Sequence, residues 1–272
     1  MDTAQPAFPR DAAIRTIATE PAVYLGAGRA LLLQLAHPQI AKAVDEHSHF
    51  QDAPLARLVG TLKFLGVAIF GSRAEAEQAA ARVRRIHDSV AGDGYSANDP
   101  ALQTWVNATL IDSALHCYTR AFGHISYDMA QAYYREAMQL SELLGTPRDK
   151  QPPDYFAFRL YVAEMLTDLQ VSPAGKRLGN ALLSGARLPE PLHLAMPVFR
   201  QVTIGLLPAP IREQYGLRWT TGQDRLLRIT MRGGGVALAA IPGPLRRSVS
   251  SAGLFLVRHR MPADESVEVR NA

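Results

Sequence analysis

The sequence predicts an all-α protein, and three observations carry that prediction. Apolar residues recur at three-and-four spacing through one segment after another, helix-capping and helix-ending residues fall between those segments, and no stretch alternates apolar and polar as a strand would. At 272 residues with 47% hydrophobic content, the chain can bury one large core, or a core plus a C-terminal appendage.

The elements follow in order. Residues 1–19 read as a loose arm, and residues 24–28 as a turn. Leu31, Leu32, Leu35, Ala36 and Ile40 give residues 29–45 a helical stripe interrupted near Pro38. Pro54 opens a helix over 55–70, which Gly71 ends. Ser72 and Glu75 then form a capping box, after which Ala76, Ala79, Ala80, Val83, Ile86, His87 and Val90 mark one inward face. A Gly92-Asp93-Gly94 turn leads to Asp99, a cap, and Pro100, the first turn of a long helix reaching Phe122. Residues 126–144 form an amphipathic helix closed by Gly145 and Pro147. Pro152 and Pro153 mark a linker before helices over 154–168 and 172–183. Five prolines break 188–210 into short helices, and 222–231 is the last well-packed one. The chain divides into a helical domain, 1–222, and an irregular Pro/Gly-rich C-terminal extension, 223–272.

Charge and cysteine content exclude several classes. A formal charge of +4 is modest, and the arginines share helices with carboxylates, so nucleic acid is not the expected partner. Cys117 stands alone, which rules out an internal disulfide and fits a reducing compartment. The N-terminus lacks a secretory pattern and no stretch approaches the roughly 20 apolar residues of a membrane span, so a cytoplasmic location is expected.

His87 is the first candidate functional residue. An inward imidazole is a common iron ligand when it sits in a dry pocket with its other nitrogen held by an acceptor, although a lone inward histidine is more often a hydrogen-bonded core residue. Arg57 and Thr61, four residues apart, share a helix face with Leu58, Leu62 and Leu65. A guanidinium on an apolar face needs an anion: a haem propionate, a substrate carboxylate, an oxygen intermediate on iron, or an ordinary ion-pair partner such as Asp45 or Asp112. Thr109, Asp112 and His116 form a polar line that reads as a hydrogen-bond seam between helices.

These residues also carry a family resemblance. The ordered motifs are Leu31-Leu32-Leu33-Gln34-Leu35-Ala36-His37-Pro38, Glu46-His47-Ser48, Arg57-Leu58-x-x-Thr61, Phe70-Gly71, His87 with Tyr95-Ser96-Ala97-x-Asp99-Pro100 after it, and Trp105-Val106-x-Ala108-Thr109-Leu110. Together with Leu206-Leu207-Pro208 and Tyr215-Gly216-Leu217, they closely resemble the DUF2236 family, the MpaB-type or rubber oxygenase catalytic domain that includes the latex clearing proteins. The resemblance implies a globin-like helical core holding haem b, with His87 as the proximal iron ligand and Arg57 and Thr61 near the haem pocket. Rubber-cleaving members carry a lysine directly before that threonine, where this chain has Gly60. Asn107 also replaces a histidine of many relatives, and His37 occupies a motif position.

The implied function is a haem-dependent oxygenase using dioxygen on an apolar, isoprenoid or otherwise unsaturated substrate. Two alternatives stand beside it. One is a non-catalytic haem sensor or carrier, and the other a haem-free helical protein binding an apolar ligand or a non-haem metal through His37, His47, His49 or His87. The seven arginines of 225–260, with no acidic residue among them, point to contact with an anionic membrane surface, to a packing arm, or to a second subunit meeting Leu254, Phe255 and Leu256 in a homo-oligomer.

Overall fold

The computed structural model describes residues 5–47, 54–185 and 193–241, with side chains from Leu58 onward in the second stretch. The fold is all-α. A short α1 (Ala13–Ala18) and a 3-10 turn (Pro21–Gly26) precede α2 (Ala27–Ala36) and α3 (Pro38–His47). Then come α4 (Pro54–Phe70), α5 (Arg73–Asp88) and a minimal hairpin of β1 (Ala91–Gly92) and β2 (Tyr95–Ser96). The second half holds α6 (Pro100–Phe122), α7 (Tyr127–Leu143), α8 (Tyr155–Asp168), α9 (Pro173–Ser184), α10 (Met196–Leu206), α11 (Ala209–Gln214) and α12 (Thr221–Ala240).

The helix starts follow from local chemistry. Ser72 and Glu75 satisfy each other's backbone N–H groups in a capping box at α5, and Thr220 with Gln223 does the same at α12. Asp99, Ser126, Asp154 and Ser172 each accept a backbone N–H at the start of α6, α7, α8 and α9. Pro38 lacks a donor and forces His37 into extended backbone, so α2 stops there and α3 begins.

α6 is the axis of the molecule, packed by α2, α7, α12 and the 3-10 turn. α2 is buried from Gly28 to Ala36. Trp105 of α6 and Tyr215 are tied to it, donating to the carbonyls of Leu33 (3.2 Å) and Leu32 (2.8 Å). The hairpin packs beside α3, where Gln39 Nε2 donates to Gly94 O at 2.5 Å and Lys42 Nζ to Asp93 O at 2.7 Å. Tyr95 donates its hydroxyl to Glu46. Among the described residues no helix is long and apolar enough to cross a membrane.

Three expectations are corrected. The arm is not loose throughout, because α1 buries Ile14 and Ile17 and the Ile14 N–H donates to Glu136 at 2.7 Å. Six residues are too few to show a period. The last helix does not stop at 231 but runs on through Gly233-Gly234-Gly235 to Ala240, and Gly235 meets α6 so closely that a Cβ would stand 1.9 Å from the Ala121 carbonyl oxygen. Ile86 is 44% exposed rather than inward. The inward stripe of α5 is narrower than its apolar composition.

Candidate cofactor pocket around His87

α5 presents His87 on the same stripe as Ala76 and Ala80, which are fully buried, and Val83. The imidazole is half-buried, and Gln103 of α6 lies beside it with Nε2 at 3.5 Å from Nδ1. The Gln103 amide is oriented by its other partners: Oε1 accepts from the Thr146 hydroxyl at 2.6 Å and Nε2 donates to Ala97 O at 3.0 Å. An amide nitrogen only donates, so toward Nδ1 it offers a proton at the long limit of a hydrogen bond. Asn98 Nδ2 donates to Asp88 at 2.8 Å and closes the end of α5 onto the same loop.

α4 packs along α5 and carries Arg57 and Thr61 one turn apart. Thr61 is half-buried; the Arg57 side chain lies outside the described residues. α4 is strongly apolar, yet from Leu58 to Val67 not one side chain is fully buried. A Cβ built at Gly60 would meet nothing within 4 Å. α4 and α5 thus pack together, one carrying Thr61 and the other His87, and α4 keeps an apolar surface that the rest of the protein covers only in part.

Both carboxylates named as ion-pair partners for Arg57 also meet other arginines. Asp112 is paired with Arg29 at 2.5 Å, and Asp45 with Arg177 at 2.8 Å. Thr109 and Asp112 do form a seam with α2, since Gln34 donates to Thr109 (3.0 Å) and Arg29 donates also to Ser113 Oγ (2.7 Å) and Leu206 O (2.9 Å). Arg29 and Gln34 escaped the sequence reading. Their signal was a cation and an amide inside an otherwise apolar run, which a buried helix tolerates only when both are hydrogen-bonded.

The remaining histidines differ in environment. His37 has a buried Nδ1 with no hydrogen-bond partner, and burial holds its pKa below the usual value while Asp99 opposes the shift. His116 has a buried, unpartnered Nε2 and a pKa lowered to about 4, chiefly by burial and then by Arg29 and Arg120. His47 Nε2 lies 3.1 Å from Ala91 O, and its ring meets Tyr95 edge to face. His49 is outside the described residues, and Asn107 is half-buried on α6. Burial pushes the Cys117 thiol up to about 12, which leaves it inert. Among the described residues no three His, Cys, Asp or Glu side chains group as a metal site.

A cavity of about 310 Å³ lies elsewhere, lined by Thr119, His124, Ile125, Tyr127, Ala130, Tyr155 and Arg159. Thr119 and Gln103 are separated by about 24 Å of helix rise along α6, so this cavity is not the His87 region. The chemistry of the donors, not the size of a cavity, decides between the two as a cofactor site.

Comparison with known proteins adds the family. The chain matches the family described as "ER-bound oxygenase mpaB/B'/Rubber oxygenase, catalytic domain" over residues 14–235. Uncharacterized proteins of Mycobacterium bovis and Mycobacterium tuberculosis are each 29% identical to it over 205 residues, covering 72% of this chain and 80% of theirs. Their alignments therefore span most of both molecules.

Proposed function

The chain belongs to the family of mpaB-type and rubber oxygenase catalytic domains, and on that premise we propose that it is a haem b-dependent oxygenase acting on an apolar, isoprenoid or otherwise unsaturated substrate. An oxygenase uses dioxygen and a substrate. The haem and the substrate class are the proposed part.

The observation that carries the reading is the half-covered apolar surface of α4 next to the His87 stripe of α5. Apolar side chains left open to water are costly, and a planar apolar cofactor would remove that cost. The residues present fit such a group. His87 supplies an imidazole ligand, Thr61 a hydroxyl that both donates and accepts, and Arg57 a guanidinium suited to a propionate. Bound haem would supply the oxygen chemistry. The chain's own residues would hold the ring, exclude water with Leu58, Leu62 and Leu65, and orient polar groups from the Thr61 side. Gly60 adds no side chain next to Thr61, so a lysine does not fill that space as in rubber-cleaving members.

Ligation through Nε2 requires the proton on Nδ1 and an acceptor facing it. Ala97 O and Asn98 Oδ1, which the Gln103 amide contacts at 3.0 and 3.5 Å, are acceptors in that neighbourhood. A second reading, a haem-free protein with His87 as a core residue, is favoured by the Gln103 amide, whose proton faces Nδ1. The absorption spectrum of the purified protein separates them. A Soret band that is lost or shifted in His87→Ala supports the haem reading, whereas no band and no haem uptake overturns it. Oxygen consumption with a panel of unsaturated terpenoids then distinguishes an oxygenase from a sensor or carrier, which would consume none above free haem.

Substrate supply from a membrane surface belongs to the same proposal. α12 exposes Leu226, Ile229 and Val236 beside the exposed Arg225, Arg228 and Arg232, a pairing suited to anionic lipid. Flotation with anionic vesicles that is lost in high salt supports it; flotation independent of lipid charge overturns it.

A further inference from the structure

The cavity at the junction of α6, α7 and α8 has the features of a second binding site. Its walls are the rings of Tyr127 and Tyr155, in edge contact at 5.9 Å, with Ile125 and Ala130. Its polar groups are Thr119, His124 and Arg159. The Thr119 hydroxyl is already committed to Leu115 O at 2.7 Å. Arg159 is the cation. Its nearest carboxylate is Asp112, 3.9 Å away, and that carboxylate is held at 2.5 Å by Arg29. One buried negative charge thus faces two guanidinium groups, and Arg159 is the more weakly held of the two.

Asp112, His116 and Thr119 lie on one stripe of α6, so His116 sits between the residue that Arg159 approaches and a residue that lines the cavity. Its Nε2 is buried and has no hydrogen-bond partner. A buried polar atom without a partner is costly, but His116 is not among the residues that line the cavity, so the polar contacts open to a ligand are those of Arg159 and His124. Burial chiefly lowers the pKa of the ring, and Arg29, Arg120 and Arg159 add to that shift while Asp112 opposes it.

We propose that this cavity binds a small organic carboxylate with a ring-sized apolar body, the carboxylate on Arg159 and the body against Tyr127 and Tyr155. The planar guanidinium matches a carboxylate with two parallel hydrogen bonds, and the volume lies at the lower end of small-molecule sites. The site is independent of the His87 region and of haem.

Calorimetric titration with 3-phenylpropionate, with its uncharged amide as the comparison ligand, tests the proposal on the full chain. Saturable binding of the acid is expected, with the amide and the Arg159→Gln variant each about tenfold or more weaker. Arg159→Lys, which keeps the charge but loses the fork, is expected to fall between. Because the Arg159 side chain is 59% exposed, both variants should fold, and unchanged thermal melting checks that. His87→Ala should bind the acid as the native chain does. No saturable binding at millimolar acid overturns the proposal, as does equal binding of acid and amide, undiminished binding to Arg159→Gln, or loss of binding in His87→Ala.

Discussion

Arg29 and Asp112 meet at 2.5 Å between α2 and α6, two buried charges from positions 83 residues apart. The arginine has further acceptors in Ser113 and the Leu206 carbonyl, so its donors are largely satisfied inside the protein. The pair fixes the register of the two helices that carry most of the core.

Breaking this pair on one side should cost more than removing it. Asp112→Ala leaves a buried guanidinium without its counter-charge, holding only Ser113 Oγ and Leu206 O, and a loss of about 3–5 kcal/mol in urea unfolding is expected. Combining Arg29→Met with Asp112→Leu should be less damaging than either single change. A double variant as unstable as the sum of the singles would contradict this.

Acid should destabilise the fold through His116. Its folded pKa, about 4, lies below the unfolded value of 6.5, so between those pH values the unfolded chain binds a proton that the native chain does not. Stability attributable to this group is full above pH 6.5 and falls as pH drops toward 4. His37 shifts in the same direction. Unfolding free energy measured from pH 7 to pH 4.5 should decline less steeply in His116→Phe than in the native chain; parallel curves would refute the assignment.

Two adjacent glycines of α12 should respond with opposite sign. Gly234 is exposed with nothing near its missing Cβ, and Gly234→Ala should stabilise by about 0.5–1 kcal/mol through helix propensity. Gly235→Ala drives a methyl into the Ala121 backbone and should destabilise by about 1–3 kcal/mol. Thermal melts of the two variants settle the order directly.

The roles proposed for α4 divide in the same way. In haem-loaded protein, Thr61→Val should retain the Soret band but lower oxygen consumption by roughly a hundredfold, the scale seen when one positioned hydrogen-bond donor is removed. Arg57→Ala should instead weaken haem retention on a desalting column. If both variants lose haem equally, Thr61 is a binding residue and nothing more.

Most helices were legible because their periods run for three turns or more and begin at residues whose side chains cap them, as at Ser72, Asp99 and Ser172. α1 was not, since six residues give no period, and its helix is fixed by contact with α7. The last helix was expected to end at 231, before the glycine triplet, because the reason for Gly235 lies on another helix, in the Ala121 carbonyl. The same limit applies to the candidate site. The inward face of His87 follows from the spacing of Ala76, Ala80 and Val83, but Gln103 reaches it across a hairpin, and only the folded chain brings the amide there. Arg29 was hidden for the converse reason, that its apolar neighbours mask a charge whose partner is remote.

The hairpin that follows α5 has a mechanical meaning. Its turn is stapled to α3 by Gln39 and Lys42, and its second strand by Tyr95 and Glu46, only a few residues beyond His87. α3 bears no proposed ligand for iron except the terminal His47, yet it acts as the strut against which the end of α5 is set. Glu46 and Tyr95 thus brace the loop that follows His87 against α3, and under the proposed haem reading a change at Glu46 would reach the His87 ring only through that loop.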